Sequence, residues 1–293
     1  MSDPGSHRCL NCDAPAPESF CPRCGQATRE RRAPFLSIVK EVLDHLSLDG
    51  ALPRSLFNLL LRPGSLTELY LAGKRASYVP PVRMYLVISL VFFVIFAIRP
   101  PDVSEVDVYV GGELVGPTKP EPGAGPRVRG TIRILDSPDE TDWLNAWVER
   151  RLLAGKRERF QQMDPQKLVD ELFHGFQRHV KLALFVFLPL LALALKLLFL
   201  RSGSLYFDHL IFALHFQSFL FLVLSLARIF HSLWLYAFAV LALFPLYLVL
   251  ALRRVYRQRW RWIVIKAVAL GLAYFLLLGL VLGGVMVVVM RGI

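Results

Sequence analysis

Residues 205–226 read LYFDHLIFALHFQSFLFLVLSL. As a helix this stretch crosses a hydrocarbon core of about 30 Å, which takes about 20 residues. It also carries Asp208, His209, His215 and Gln217, groups that hydrocarbon does not solvate. A single such block could be a buried helix of a soluble protein. Four further apolar blocks, at 84–98, 182–200, 229–252 and 263–290, point instead to a membrane bundle. The first block is short, and Arg83 and Arg99 extend it by snorkelling. The chain is 55% hydrophobic with a mean hydropathy of +0.46, above what a soluble chain of 293 residues carries. The fold read from this pattern is mainly α, a polytopic helical bundle of about five spans.

The placement of charge gives an expected orientation. Net charge is +11, and residues 1–83 hold eleven Lys/Arg, including Lys74, Arg75 and Arg83 beside the first span. The connection after the fourth span, RRVYRQRWRW, holds Arg253, Arg254, Arg257, Arg259 and Arg261 without an acid. Lys196 and Arg201 lie in the connection after the second. Five spans place these groups on one side, which the positive-inside rule makes cytosolic. The long loop 99–178 is near neutral and falls on the opposite side. Trp260 and Trp262 suit an interfacial aromatic belt. The basic excess therefore reads as topology, and nucleic acid is not an expected partner, since no basic patch sits on a recognisable nucleic-acid fold.

All four cysteines fall within the first 24 residues, as Cys9-Leu10-Asn11-Cys12 and Cys21-Pro22-Arg23-Cys24. Two CxxC knuckles supply four thiolates to one tetrahedral zinc. So short a segment buries too little to fold alone, and metal binding, worth about 10–16 kcal/mol in zinc-finger peptides, would supply the difference. Two disulfides or a redox pair are the competing readings, but no βαβ pattern follows the motif. Four protein ligands leave no open position, so the zinc is expected to be structural. Thiolates imply a reducing compartment, hence a cytosolic N-terminus, and nothing resembling a signal peptide precedes them.

The expected organisation is a zinc ribbon over 1–30, a cytosolic amphipathic segment over 31–80, a first span over 81–99, a partly ordered exoplasmic insertion over 100–178 and a four-span domain over 179–293. Within 31–80, helical spacing runs over 35–48, Gly50 and Pro53 break it, and shorter helical pieces follow at 56–61 and 66–72, the last ending at Gly73. These pieces either lie on the membrane, pack against the bundle or form a small soluble unit. In the insertion, 103–115 reads as a hairpin around Gly111-Gly112, 128–135 as a strand, and 141–160 and 165–178 as helices. Pro189 and Pro245 are expected to kink spans two and four.

With these stretches in hand, the chain resembles an uncharacterised bacterial membrane family, the domain of unknown function 3667 family. The likeness rests on Cys9, Cys12, Cys21 and Cys24 followed by Gly25-Gln26; on Pro63, Gly64, Tyr70, Gly73, Lys74, Arg75, Tyr78, Val79 and Pro81; and on Asp208, His209 and His215. It implies a multi-pass protein of the bacterial inner membrane with an N-terminal zinc ribbon, and no known activity.

Three groups of residues are candidate sites. Asp208, His209 and His215 form a polar membrane site in span three; Asp208 and His215 share a helix face and His209 points elsewhere. The bland reading puts Asp208 and His209 at the interface and gives His215 one structural hydrogen bond. Lys74, Arg75 and Arg83 could contact anionic headgroups, or serve only as positive-inside charges. Gly279 and Gly283 offer a close helix contact for a homo-oligomer. Ser218 one turn from His215 is too little to define a nucleophile and base, so an enzyme is the weakest reading. The leading one is a membrane interaction or regulatory protein whose ribbon docks a cytosolic partner. The alternative is a small transporter or permease using span three.

Overall fold

The computed structural model describes residues 8–16, 19–28, 51–98, 106–110, 113–114, 130–134, 165–230 and 233–292. Helices α1 (Ala51–Leu61) and α2 (Ser65–Leu71) precede α3 (Pro81–Ile98). Strands β1 (Val106–Val110), β2 (Glu113–Leu114) and β3 (Gly130–Ile134) follow. The rest is helical: α4 (Pro165–Leu198), α5 (Tyr206–Ile229), α6 (Leu233–Phe238), α7 (Phe244–Tyr256) and α8 (Trp260–Gly292). Five helices are long and apolar enough to cross a membrane: α3, α4, α5, α6 continued through α7, and α8. The readings over 35–48 and 141–160 lie outside the described residues.

The spans are not equivalent. In α5, 72% of the most apolar window is buried inside the protein, against 17% in α8 and 28% in α3. A central helix touches protein on all sides, so it can carry groups that lipid would not accept. His209, His215, Gln217, Ser218 and Ser225 are all buried there. Aromatic rings fill the space around it. Tyr247 stacks on Phe219 with ring centroids 3.5 Å apart, and Phe92 stacks on Phe221 at 4.7 Å.

Two elements differ from the sequence reading. The stretch 165–178 is not a separate helix, because α4 runs unbroken through 34 residues. At 1.5 Å per residue it is about 51 Å long and outlasts any hydrocarbon core. The boundary drawn at 178/179 falls inside it. Pro189 stays within the helix, and the Tyr206 hydroxyl donates to its carbonyl at 3.0 Å. In span four the helix widens into a π turn over Ala239–Leu243 just ahead of Pro245. Proline lacks the donor that the i−4 carbonyl needs, and a π turn is one way to absorb the mismatch. In the insertion, β1 and β2 form the expected hairpin with Val110 opposite Glu113. The strand around 130 pairs with β1 in parallel, Val108 opposite Ile132.

The segment before α3 packs into the bundle. Helices α1 and α2 form a hairpin turned by Arg62-Pro63-Gly64, and neither is long enough to span. Pro53, read as a breaker, stands in the first turn of α1, where an amide donor is not needed. Leu59 and Leu66 are buried in the common core, and Tyr247 donates to the Leu59 carbonyl at 2.7 Å. The turn itself is held by Ser65 Oγ donating to Asn58 Oδ1 at 3.1 Å and by the Val79 N–H donating to Ser55 Oγ at 2.9 Å. Non-helical backbone at membrane depth is tolerated where protein covers it.

Gly64 makes the close approach possible. Its φ is +73°, and a Cβ there would stand 2.8 Å from the Ala251 carbonyl oxygen of α7. Gly203 shares the conformation, at φ +72°, but has open space around it. Gly203→Ala should therefore cost only the left-handed strain, about 1–2 kcal/mol. Gly64→Ala should cost clearly more, because backbone must move. Unfolding of both variants in detergent micelles checks this, and equal losses would contradict the tight contact.

Candidate functional site

The two CxxC knuckles have the same backbone build. In the first, Cys9 N–H donates to the Ala14 carbonyl and Asp13 N–H to the Cys9 carbonyl, each at 2.9 Å. In the second, Cys21 N–H donates to the Gln26 carbonyl and Gly25 N–H to the Cys21 carbonyl, each at 2.8 Å. The residue after each second cysteine is left-handed, Asp13 at φ 59° and Gly25 at φ 72°. Glycine takes that conformation freely, and Asp is among the few other residues that do. Asp13 is thus the counterpart of Gly25, a match that its place after Cys12 made legible.

Ligand atoms of all four cysteines lie within 4.8 Å of one another. Cys9 Sγ is 3.5 Å from Cys24 Sγ, and Cys12 Sγ 3.6 Å from Cys21 Sγ. A disulfide needs about 2.05 Å, so the thiols are not paired covalently. Four sulfurs at metal bonds of about 2.3 Å would stand about 3.8 Å apart at the corners of a tetrahedron. The donor set fits a metal ion with no position left for water. Without a cation the clustered thiols ionise unequally. The Ala14 backbone favours a Cys12 thiolate, but desolvation and the three neighbouring sulfurs outweigh it and push its pKa up to about 12. Desolvation also disfavours the Cys21 and Cys24 thiolates, yet backbone hydrogen bonds and neighbouring thiols leave both below the ordinary thiol value.

The knuckles rest on the connection between α2 and α3. Gln26 Nε2 donates to the Gly73 carbonyl at 2.8 Å, and its Oε1 accepts from the Arg75 and Ala76 N–H groups, each at 3.1 Å. Gly73, at φ +86°, lies under Leu10, whose Cδ1 would be 2.8 Å from an added Cβ. One amide side chain therefore satisfies three backbone groups of the turn leading into the first span. The sequence set Gln26 in the ribbon motif and Gly73 in the stretch before the first span, with nothing to show that they meet.

Span three does not gather its polar residues into one site. Asp208 caps its own helix, accepting from the Leu205 N–H at 2.8 Å. His209, expected to point away, is fully buried, and its Nδ1 lies 2.6 Å from the Tyr256 hydroxyl. His215 Nδ1 lies 2.9 Å from Thr67 Oγ1 of α2. Gln217 Oε1 accepts from the Tyr274 hydroxyl at 3.1 Å. His209, His215 and Gln217 each meet a different neighbouring element. The Nε2 atoms of both histidines are buried without a partner among the described residues.

At the same end of the bundle Glu68 of α2 pairs with Arg257 at 2.6 Å and Arg254 at 3.3 Å. Sequence reasoning did not single out Glu68; its signal was a lone acid facing an acid-free arginine cluster. Arg253, Arg254 and Arg257 line an open cleft of about 580 Å³ with Pro63. Lys74 and Arg75 are exposed and Arg83 is half-buried, with the Arg75 guanidinium 5.5 Å from the centre of the Tyr70 ring. Gly279 and Gly283 are exposed on α8 with nothing within 4 Å of an added Cβ.

Five membrane-crossing helices closed by a wedged hairpin define a polytopic membrane protein carrying a four-cysteine site. Within it, residues 49–93 match the family model described as Protein of unknown function (DUF3667). The match covers the hairpin and most of α3. No curated protein and no solved structure matches the chain.

Thr67→Val keeps shape and removes the hydroxyl facing His215. It should destabilise the protein by about 1–3 kcal/mol, since the imidazole would lose its partner in the core. Thr67→Ser should retain most of the stability. Thermal unfolding in detergent distinguishes the two, and a Val variant as stable as the wild type would remove the pairing from the account.

Proposed function

We propose that the protein is a non-enzymatic regulatory membrane protein whose N-terminal ribbon binds one structural zinc and presents it beside the entry hairpin. The carrying observation is the Gln26 contact with Gly73, Arg75 and Ala76. A ribbon tethered only by a linker would be a free docking module. Here one helix connection holds it, so its metal state bears on how the hairpin seats between α5 and α7. The exposed side of the ribbon, with Phe20 outward, is the face offered to a cytosolic protein partner. The residue types support zinc: four thiolates and no carboxylate suit a tetrahedral, redox-inert ion.

The cytosolic placement rests on charge and thiol chemistry, and the bacterial inner membrane on the family resemblance alone. Ribbon, hairpin and the 253–257 arginines share one end of the bundle, as their contacts require. A transporter or permease using span three is the second reading, favoured by the two orphaned imidazole nitrogens.

Purified protein should carry about one zinc per chain, and Cys21→Ser should lose it. Bound zinc should be retained at neutral pH and released on acidification, because protons compete for the thiolates as pH falls. Cys21→Ser and Gln26→Ala should both speed hydrogen exchange at the Arg75 and Ala76 amides. Unchanged exchange in both variants would detach the ribbon from the hairpin. A reporter after Arg257 should be cytosolic and one inserted at Gly123 exoplasmic. Both on one side would overturn the span count. Pull-down from solubilised membranes, with and without residues 1–30, tests the partner.

A further inference from the structure

At the opposite end from the ribbon, all five spans line a partly open chamber of about 360 Å³. Its volume lies near the lower end of the roughly 300–1,000 Å³ of small-molecule sites. The walls are aliphatic and aromatic, with Phe92 and Phe96 of α3, Phe221 of α5, Phe244 of α7 and Phe275 of α8 among them. Among the described residues no acidic one lines it, and besides the Tyr274 hydroxyl three side chains break the apolar surface: Gln217, Lys181 and, beside Lys181 on α4, Gln177. Gln217, 2% exposed, lines the inner part, and its Oε1 accepts from the Tyr274 hydroxyl. Lys181 of α4 lines the outer part, its Nζ 5.9 Å from the centre of the Phe93 ring. Phe187 meets Tyr274 edge-on at 5.0 Å, so Lys181, six residues earlier, sits about 9 Å further along the axis.

The amide nitrogen of Gln217 and the ammonium of Lys181 are both donors, and a largely apolar chamber favours a ligand that brings acceptors to them. The pair asks for a ligand that is apolar and flat enough for phenylalanine walls and carries two acceptor oxygens. A fatty carboxylate would meet Lys181 and leave Gln217 facing methylenes. A quinone ring has a carbonyl at each end and no donor, and the flexible lysine stem can close on the outer one. We infer that the chamber between α3, α4, α5, α7 and α8 binds the ring of a prenylated quinone, with one carbonyl on Gln217, the other toward Lys181, and the tail in lipid. The step is binding alone, and no electron transfer is required of it.

The test uses full-length protein in detergent and decylubiquinone as probe, with binding followed by equilibrium dialysis. Saturable binding is expected, at least tenfold weaker in Gln217→Leu and several-fold weaker in Lys181→Met. Leu278→Trp and Leu224→Trp fill the chamber from facing walls and should each abolish it while thermal unfolding shows the protein folded; two positions guard against one failing to fold. The fully reduced quinol, which adds donors the site cannot accept, should bind more weakly. No saturable binding to the wild type, affinity unchanged in Gln217→Leu, or palmitate binding at the same site as tightly as the quinone would each overturn the proposal.

Discussion

Hydrocarbon offers no hydrogen bonds, and that constraint organises this protein. Any polar atom placed inside the bundle must find its partner within the chain. Span α5 carries most of them and accordingly stands at the centre, where the other elements can supply one partner each. Thr67 comes from the hairpin, Tyr256 from α7 and Tyr274 from α8. The serines at 218 and 225 need no neighbour, because each donates to the carbonyl one turn back on its own helix. The arrangement fixes which helices surround α5, since moving any of the three would strand a buried group.

The hairpin follows from the same rule. Its turn exposes carbonyls and amides that no helix satisfies, so it survives only by burying them against protein. Gly64 lets the chain reach the backbone of α7, and Tyr247 and Arg254 collect carbonyls at positions 59 and 63. Glu68 then neutralises part of the arginine cluster left at the end of α7. A partly exposed ion pair contributes little on its own. Its two arginines flank the turn into α8, so the pair orients that connection more than it stabilises it.

The four-cysteine site sits at the end of this chain of dependencies. Its segment buries few side chains of its own, and Gln26 reaches from it to the turn that launches the first span. A change at the thiols therefore has a short physical path to the membrane: knuckle, Gln26, the 73–76 turn, then α3. The π turn in span four lies at the opposite end, beside the aromatic chamber, where Val240 and Phe244 line the wall. A widened helix there enlarges the space that the other spans leave open.

Much of this was legible in the residues. Apolar length alone gave five spans, because a helix of given composition either can or cannot cross hydrocarbon. CxxC spacing gave the thiol cluster, because two knuckles bring their sulfurs together by local geometry. Glycine after the second pair and at 73 marked left-handed turns for the same local reason. The sequence could not say where the hairpin lies, since its moderate amphipathicity suits a membrane surface as well as a bundle. Nor could periodicity pair His215 with Thr67, 148 residues away, or His209 with Tyr256. Spacing along one helix names the face a residue occupies. What stands opposite that face depends on how five helices and a hairpin pack, and only the tertiary structure decides it.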